Sequence, residues 1–253
     1  MASDDTSGQD DDDLRASLLS LSHLATGQME LEDVLTRVAE FAVSAIPGAD
    51  GVGLTLLESG RADTMVASAP FVAEVDAIQY GIEEGPCITS AAEARTVRSG
   101  ELDTDPQWPR FGPQIGHLGV HSALSVPLLT HAGVLGAMNV YAHKRDAFDE
   151  DGARIGELFA EPAAIAVQNA HVLAQAQRLA AQLQVAIANQ ATIDQAVGIL
   201  MSRHGGDPEQ AMDQLSQVSH EQHEKLHTVA FKIVQDAVQR AGGGRNSDER
   251  DKP

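Results

Sequence analysis

Apolar residues along the chain change period three times, and each change marks a change of element. From Leu14 to Ile46 the spacing is helical. A first amphipathic helix carries Leu14, Leu18, Leu19, Leu21 and Leu24 and is expected to end near Gly27. A second carries Leu31, Val34, Leu35, Val38, Phe41 and Ala42 and stops at Pro47-Gly48. The period then drops to two. Gly51 to Leu57 places Val52, Leu54 and Leu56 on one face of a strand, and Thr64 to Ala69 is its partner across a turn over Glu58 to Asp63. A helix is expected over Phe71 to Ile78. Glu84-Gly85-Pro86-Cys87 opens a short one, because proline fits the first helical turn. Thr96 to Arg98 reads as a short strand, Asp103 to Pro109 as a turn-rich link and Phe111 to Leu118 as a short helix. Ser122 to Leu129 and Gly133 to Ala142 read as strands joined at Thr130 to Ala132. Strands interleaved with short helices imply an antiparallel sheet with helices packed on it, an α+β domain.

From Asp149, a plausible N-cap, the period is helical again. Neither Gly nor Pro occurs from Ala163 to Val197, a length of helix of roughly 50 Å. Pro162 is expected to kink or interrupt its start. A heptad seam can be written through Leu158, Ile165, Val172, Leu179, Ala186, Ile193 and Leu200, interleaved with Asn169, Leu183 and Val197. It predicts a coiled-coil homodimer with Ile165, Asn169, Val172, Leu179, Leu183 and Ile193 in the seam. The competing reading packs this helix on the sheet and leaves Asn169 in water. Gly205-Gly206 stops the helix, and Asp207-Pro208-Glu209-Gln210 starts another with an N-cap, Pro and Gln. Ser219 to Gln222 reads as a second capping box, and Gly242-Gly243-Gly244 as the end of a third helix. A three-helix module therefore closes the chain.

Charge changes this picture only after it is divided. The 253 residues carry a formal net charge of −20, which at first excludes a nucleic-acid binder, since phosphate contacts need Lys and Arg. Residues 1–13 hold six Asp and no cation, which reads as a disordered acidic tail. Residues 14–177, the α+β domain with its flanking helices, hold 21 acidic and 9 basic residues, a net of −12. The helical module at 178–241 holds 7 acidic and 5 basic residues, a net of only −2, and 242–253 is a neutral flexible tail. The acidic N-terminus lacks a secretory pattern, and no apolar run is long enough for a membrane span. With a single cysteine, Cys87, these features place the protein in the cytoplasm, away from membranes.

No catalytic or metal motif is present, and no enzyme activity is expected; no cofactor can be named. His220, His223 and His227 share a helical face, which reads first as a solvated face. Cys87 follows Gly85-Pro86 near a helix N-terminus, where the dipole lowers a thiol's pKa, so a redox sensor competes with a small buried hydrophobe. Trp108-Pro109-Arg110-Phe111 groups the only Trp with a cation and a second ring. Tyr80, Cys87, Trp108, Arg110 and Phe111 are the candidate sensor pocket.

These residues also carry a family resemblance. EGPCITSAAEARTVRSGELDTDPQWPRF, SALSVPLL, GVLGAMNVYA and AFDEDGARIGELFAEPAAIAVQNA, within about residues 30–175, resemble a GAF domain of the bacterial signalling type. ATIDQAVGILMSRHG, the stretch from Ala211 to Leu215 and SHEQHEKLHTVAFKIV, within about 178–240, resemble an ANTAR domain, the RNA-binding module of transcription antitermination regulators. The resemblance implies a sensor of a small-molecule or redox signal, a dimerising helix, and paired bundles that bind tandem stem-loops in a nascent leader transcript. Arg203 and Lys225 stand on motif-matching positions and, with Lys232 and Gln190, are the expected RNA contacts. Gln190, Val197 and Ser216 stand where the family commonly carries cations. That departure leaves open an alternative, a sensor acting through protein partners with a degenerate bundle that does not bind RNA.

Overall fold

The computed structural model describes residues 3–24, 29–58 and 61–248. The chain divides into two compact units, 1–175 and 176–253.

The first unit is built on a five-stranded antiparallel sheet of order β2-β1-β5-β4-β3. Its strands are β1 (Gly51–Glu58), β2 (Arg61–Ala67), β3 (Val97–Ser99), β4 (Ser122–Thr130) and β5 (Gly133–Ala142). The expected turn residues Ser59 and Gly60 lie outside the described residues. Val52 opposes Val140 and Leu124 opposes Val140 from the other side, so the apolar positions of three strands fall in register on one face. There they meet α1 (Ser3–Ser22), α2 (Leu31–Ala45) and the first part of α6 (Glu150–His204) in one core that includes Leu35, Leu54, Leu124, Val140, Phe159 and Val167. The opposite face packs under α3 (Pro70–Ile82), α4 (Pro86–Glu93) and α5 (Gly112–Ile115), with Val72, Val75, Trp108, Phe111, Ile115 and Tyr141 in a second apolar cluster.

Helix α6 is a single helix of 55 residues and runs through Pro162 without ending. Asp149 caps it as expected, its side chain accepting from the Gly152 amide at 2.8 Å. In the second unit α6 joins α7 (Pro208–Gln222) and α8 (Leu226–Asp248) around Ile193, Ala196, Val197, Ala211, Leu215, Val229 and Ala230. Gly205 and Gly206 end α6 with φ of 73° and 92°. Asp207 caps α7, accepting from the Gln210 amide at 2.9 Å.

Four expectations are corrected. The acidic tail is not free of structure, since α1 begins at Ser3; only its first two residues, and the stop expected near Gly27, lie outside the described residues. Leu14, Ser17 and Leu21, at helical spacing, are buried and anchor this helix. Ser219 to Gln222 is not a capping box. Helix α7 continues through it to His223, which takes a left-handed φ of 54°, and the Ser219 hydroxyl donates to the Glu224 carbonyl at 2.6 Å. Helix α8 passes Gly242-Gly243-Gly244 and reaches Asp248. Glycine is unfavourable in a helix without forbidding it. The heptad seam does not keep one environment: Ile165, Val172, Leu179 and Leu183 are 55 to 57% exposed and Asn169 is exposed, whereas Ile193 is buried in the bundle core.

The Asp207 cap should be worth about 1 kcal/mol. Asp207→Ala is expected to lower the urea midpoint for loss of helicity, and Asp207→Ser to restore most of it.

Candidate functional site

The face of the sheet under α3 and α4 alternates Gly53 and Thr55 on β1, Ala123 and Ser125 on β4, and Asn139 and Tyr141 on β5. These positions pair across the strands, Gly53 with Asn139 and Ser125 with Asn139. Thr55, Ser125, Asn139 and Tyr141 are all buried, so their polar atoms must find partners inside the protein. They find them in one network centred on the fully buried carboxylate of Asp76 from α3.

Asp76 Oδ1 accepts from the Tyr141 hydroxyl at 2.6 Å, from Gln79 Nε2 at 2.9 Å and from Asn139 Nδ2 at 3.4 Å. Gln79 Nε2 also donates to the Tyr141 hydroxyl at 2.7 Å, and Gln79 Oε1 accepts from the Cys87 amide at 3.0 Å. Asn139 Nδ2 donates to Thr55 Oγ1 at 3.1 Å, and Asn139 Oδ1 accepts from Ser125 Oγ at 3.1 Å. Tyr80 shares a hydrogen bond with Thr55. The close approach of α3 requires glycine at position 53, where a Cβ would lie 2.5 Å from Asp76 Oδ2. Ser90, facing inward from α4, is fully buried, and among the described residues its hydroxyl has no hydrogen-bond partner.

Two of the five expected pocket residues belong to this network. Cys87 Sγ lies 3.7 Å from Thr55 Oγ1 and 3.8 Å from the Tyr80 hydroxyl. The other three form a strap beside it. Trp108 Nε1 donates to Thr89 Oγ1 of α4 at 3.0 Å, and Phe111 is fully buried in the second apolar cluster. Arg110 lies at the surface, where its Nε donates to Glu84 Oε2 at 2.8 Å and its Nη2 to the Ile82 carbonyl at 2.8 Å. Glu84 Oε1 accepts the amides of Arg110 and Phe111 at 2.7 and 3.1 Å. The Arg110 guanidinium and these amides hold the Glu84 carboxyl below its ordinary pKa.

Of the two readings of Cys87, its environment is that of the small buried residue. Burial pushes its thiol up to about 11, and the Asp76 charge adds to the rise. Desolvation outweighs the helix N-terminus. Burial and the same carboxylate raise the Tyr141 hydroxyl well above its ordinary value. Asp76, Gln79, Asn139 and Tyr141 were missed from sequence. Their available signal was polarity on alternate strand positions, which ordinarily marks a face in water.

In the second unit Arg203 and Lys225 are exposed and form no ion pair among the described residues. Lys232 Nζ contacts both Glu224 carboxylate oxygens at 2.6 Å. Gln190 Nε2 donates to Asp194 at 2.8 Å on its own helix. Arg203 and Lys225 flank opposite ends of α7, whose 15 residues span about 22 Å. Among the described residues no group of three or more His, Cys, Asp or Glu could hold a metal ion, and no helix is long and apolar enough to cross a membrane.

A sheet with helices on both faces, followed by a three-helix bundle, describes a two-domain protein. The GAF domain model matches residues 28–168 and the ANTAR domain model residues 181–234. The chain belongs to the GAF domain family and carries an ANTAR domain after it. GAF domains are small-molecule sensors, and ANTAR domains are RNA-binding antitermination modules. Among solved structures, the GAF domain of a phosphoenolpyruvate-protein phosphotransferase from Coxiella burnetii is 18% identical. The match covers 65% of this chain and 95% of that one, with a TM-score of 0.52. The corresponding Acinetobacter domain is 16% identical over 66% of this chain and 97% of that one, with a TM-score of 0.51. At this identity the likeness shows the fold alone. No curated protein matches the chain at a significant level.

Two outcomes follow. With a pKa of about 11, only about 0.1% of the Cys87 thiol is ionised at pH 8. Native protein should react with a thiol reagent far more slowly than protein unfolded in guanidinium, and prompt native labelling would contradict the buried site. Glu84 has a depressed folded pKa, so its contribution is present above its ordinary value of 4.5 and lost as pH falls through the folded value. The stability gap between wild type and Glu84→Gln should therefore be full at pH 7 and close below pH 4.5, read from denaturant midpoints.

Proposed function

We propose that this protein is a cytoplasmic homodimer that binds tandem stem-loops in nascent leader RNA and controls transcription termination in response to a signal received by its GAF domain. The observation that carries this reading is the pair of exposed, unpaired cations, Arg203 and Lys225, on a bundle matched by the ANTAR model. Unstacked loop bases are the part of RNA that side chains can read, and phosphates nearby need such cations. Dimerisation along α6 is supported by the exposed apolar stripe Ile165, Val172, Leu179 and Leu183. The signal is assigned to the face holding Asp76, Tyr80, Cys87 and the orphaned Ser90 hydroxyl, with the Trp108–Phe111 strap against it.

A second reading draws on the Lys232–Glu224 pair, which withdraws one of the few cations from any phosphate. On that reading the bundle binds protein and not RNA.

Because Arg203 lies in the last turn of α6 and Lys225 follows the far end of α7, without a shared partner, their effects on RNA affinity should add. Arg203→Ala and Lys225→Ala are each expected to reduce the slope of log K against log salt by about 1, and the double variant by about 2. Binding of a two-hairpin leader RNA titrated at several salt concentrations checks this. Absence of saturable binding at low salt supports the protein-partner reading.

A further inference from the structure

The chain has one Trp, two Tyr and six Phe, and all but one of these rings are buried or half-buried in the first unit. The exception is Phe231 on α8, the single aromatic residue of the second unit, which is 53% exposed. Its ring joins none of the three apolar clusters and, among the described residues, meets no other ring. The preceding Val229 and Ala230 are the residues that α8 turns into the bundle core. The packing of the bundle therefore gives no reason for a phenyl ring at position 231.

Its surroundings do give one. His227 and Gln235 lie one turn to either side of Phe231, at i−4 and i+4, and so share its face of α8. An imidazole and an amide carry the donors and acceptors that a base edge can pair with. The acids nearby are already neutralised: Glu224 is held by Lys232 at 2.6 Å and Asp236 by Arg240 at 3.6 Å. Residues 224–240 thus carry a net charge of +1 in a chain of −20, and the surplus is the exposed Lys225. The Lys225 carbonyl accepts the Thr228 and Val229 amides at 2.9 and 3.2 Å, which ties it to the start of α8. It stands six residues before Phe231, about 9 Å along the helix axis.

We propose that Phe231 stacks an unpaired base of an RNA loop, with His227 and Gln235 at the edge of that base and Lys225 on the neighbouring phosphate. An unpaired nucleotide offers a free π-face and a negative charge, and this face of α8 offers a ring and a cation. A stable protein interface would instead bury about 800 Å² per partner around an apolar centre. Here a single ring sits among amides and closed ion pairs. The inference rests on the RNA reading above. It adds the residue that distinguishes a loop from a duplex, because the bases inside a helix have no free face to stack on.

The test uses the full-length chain and an RNA probe selected on the wild-type protein from a pool of two tandem stem-loops with randomised loops. Phe231→Ala and Phe231→Leu are expected to weaken binding of that RNA about fivefold or more, and Phe231→Trp to keep it within about twofold. Neither loss removes a charge, so the slope of log K against log salt should stay that of wild type, whereas Lys225→Ala lowers it by about 1. Far-UV circular dichroism and sedimentation equilibrium check the fold and the mass of each variant. If Phe231→Leu binds as wild type does, the ring is not stacking and the inference is overturned. Unchanged affinity of Phe231→Ala beside a weakened Lys225→Ala also overturns it, and leaves the RNA reading standing. A change of sedimenting mass in Phe231→Ala assigns the face to a protein interface and overturns it as well. If the pool yields no RNA that wild type binds, the RNA reading and the stacking inference fall together.

Discussion

The central sheet is buried on both faces, and one of those faces is polar. Everything on that side follows from the need to satisfy Thr55, Ser125, Asn139 and Tyr141 without water. Leaving one such group unpaired costs about 1–3 kcal/mol, so the network cannot lose a member cheaply. Asp76 is the acceptor that closes it, and its carboxylate can reach the sheet only because Gly53 leaves room. Helix α3 is therefore fixed over β1 and β5, and α4 is fixed through the Gln79–Cys87 contact. The strap from Trp108 to Phe111 secures the same helices through Thr89 and Glu84. A ligand entering this region would have to exchange hydrogen bonds with the network.

The strand positions with apolar residues, Val52, Leu54, Leu56, Leu124 and Val140, were readable as one buried face because alternation reports burial directly. Their neighbours were not readable. Thr55, Ser125 and Asn139 alternate as residues facing water do, and only long-range packing of α3 reveals that they are inside. Cys87 shows the same limit: its place at a helix N-terminus is local and visible, while the burial that decides its chemistry is not. The helix stops with positive φ at Gly205 and Gly206 were legible, whereas His223 adopts a left-handed φ that a histidine does not announce.

The geometry of the long helix explains why the heptad seam does not keep one environment. A straight α-helix drifts about 20° per heptad from a 3.5-residue repeat. Over the five heptads from Leu158 to Ile193 that amounts to about 100°, enough to carry a seam from the exposed side to the buried one. Leu179 and Leu183 are exposed, and Ile193 is buried among α7 and α8. Whether a supercoil keeps the heptad register or the helix stays straight thus decides which residues two copies share.

The same question bears on RNA. A bundle with a net charge of −2 and two uncommitted cations has few phosphate contacts to offer. On the proposed dimer, two such bundles would convert the second contact into an intramolecular event, with a gain that depends on how closely their spacing matches that of two stem-loops. Bundles joined only through α6 could vary that spacing. Weak basic character and the proposed dimer are in this sense complementary: the fewer the phosphate contacts each bundle makes, the more of the affinity must come from joining two of them.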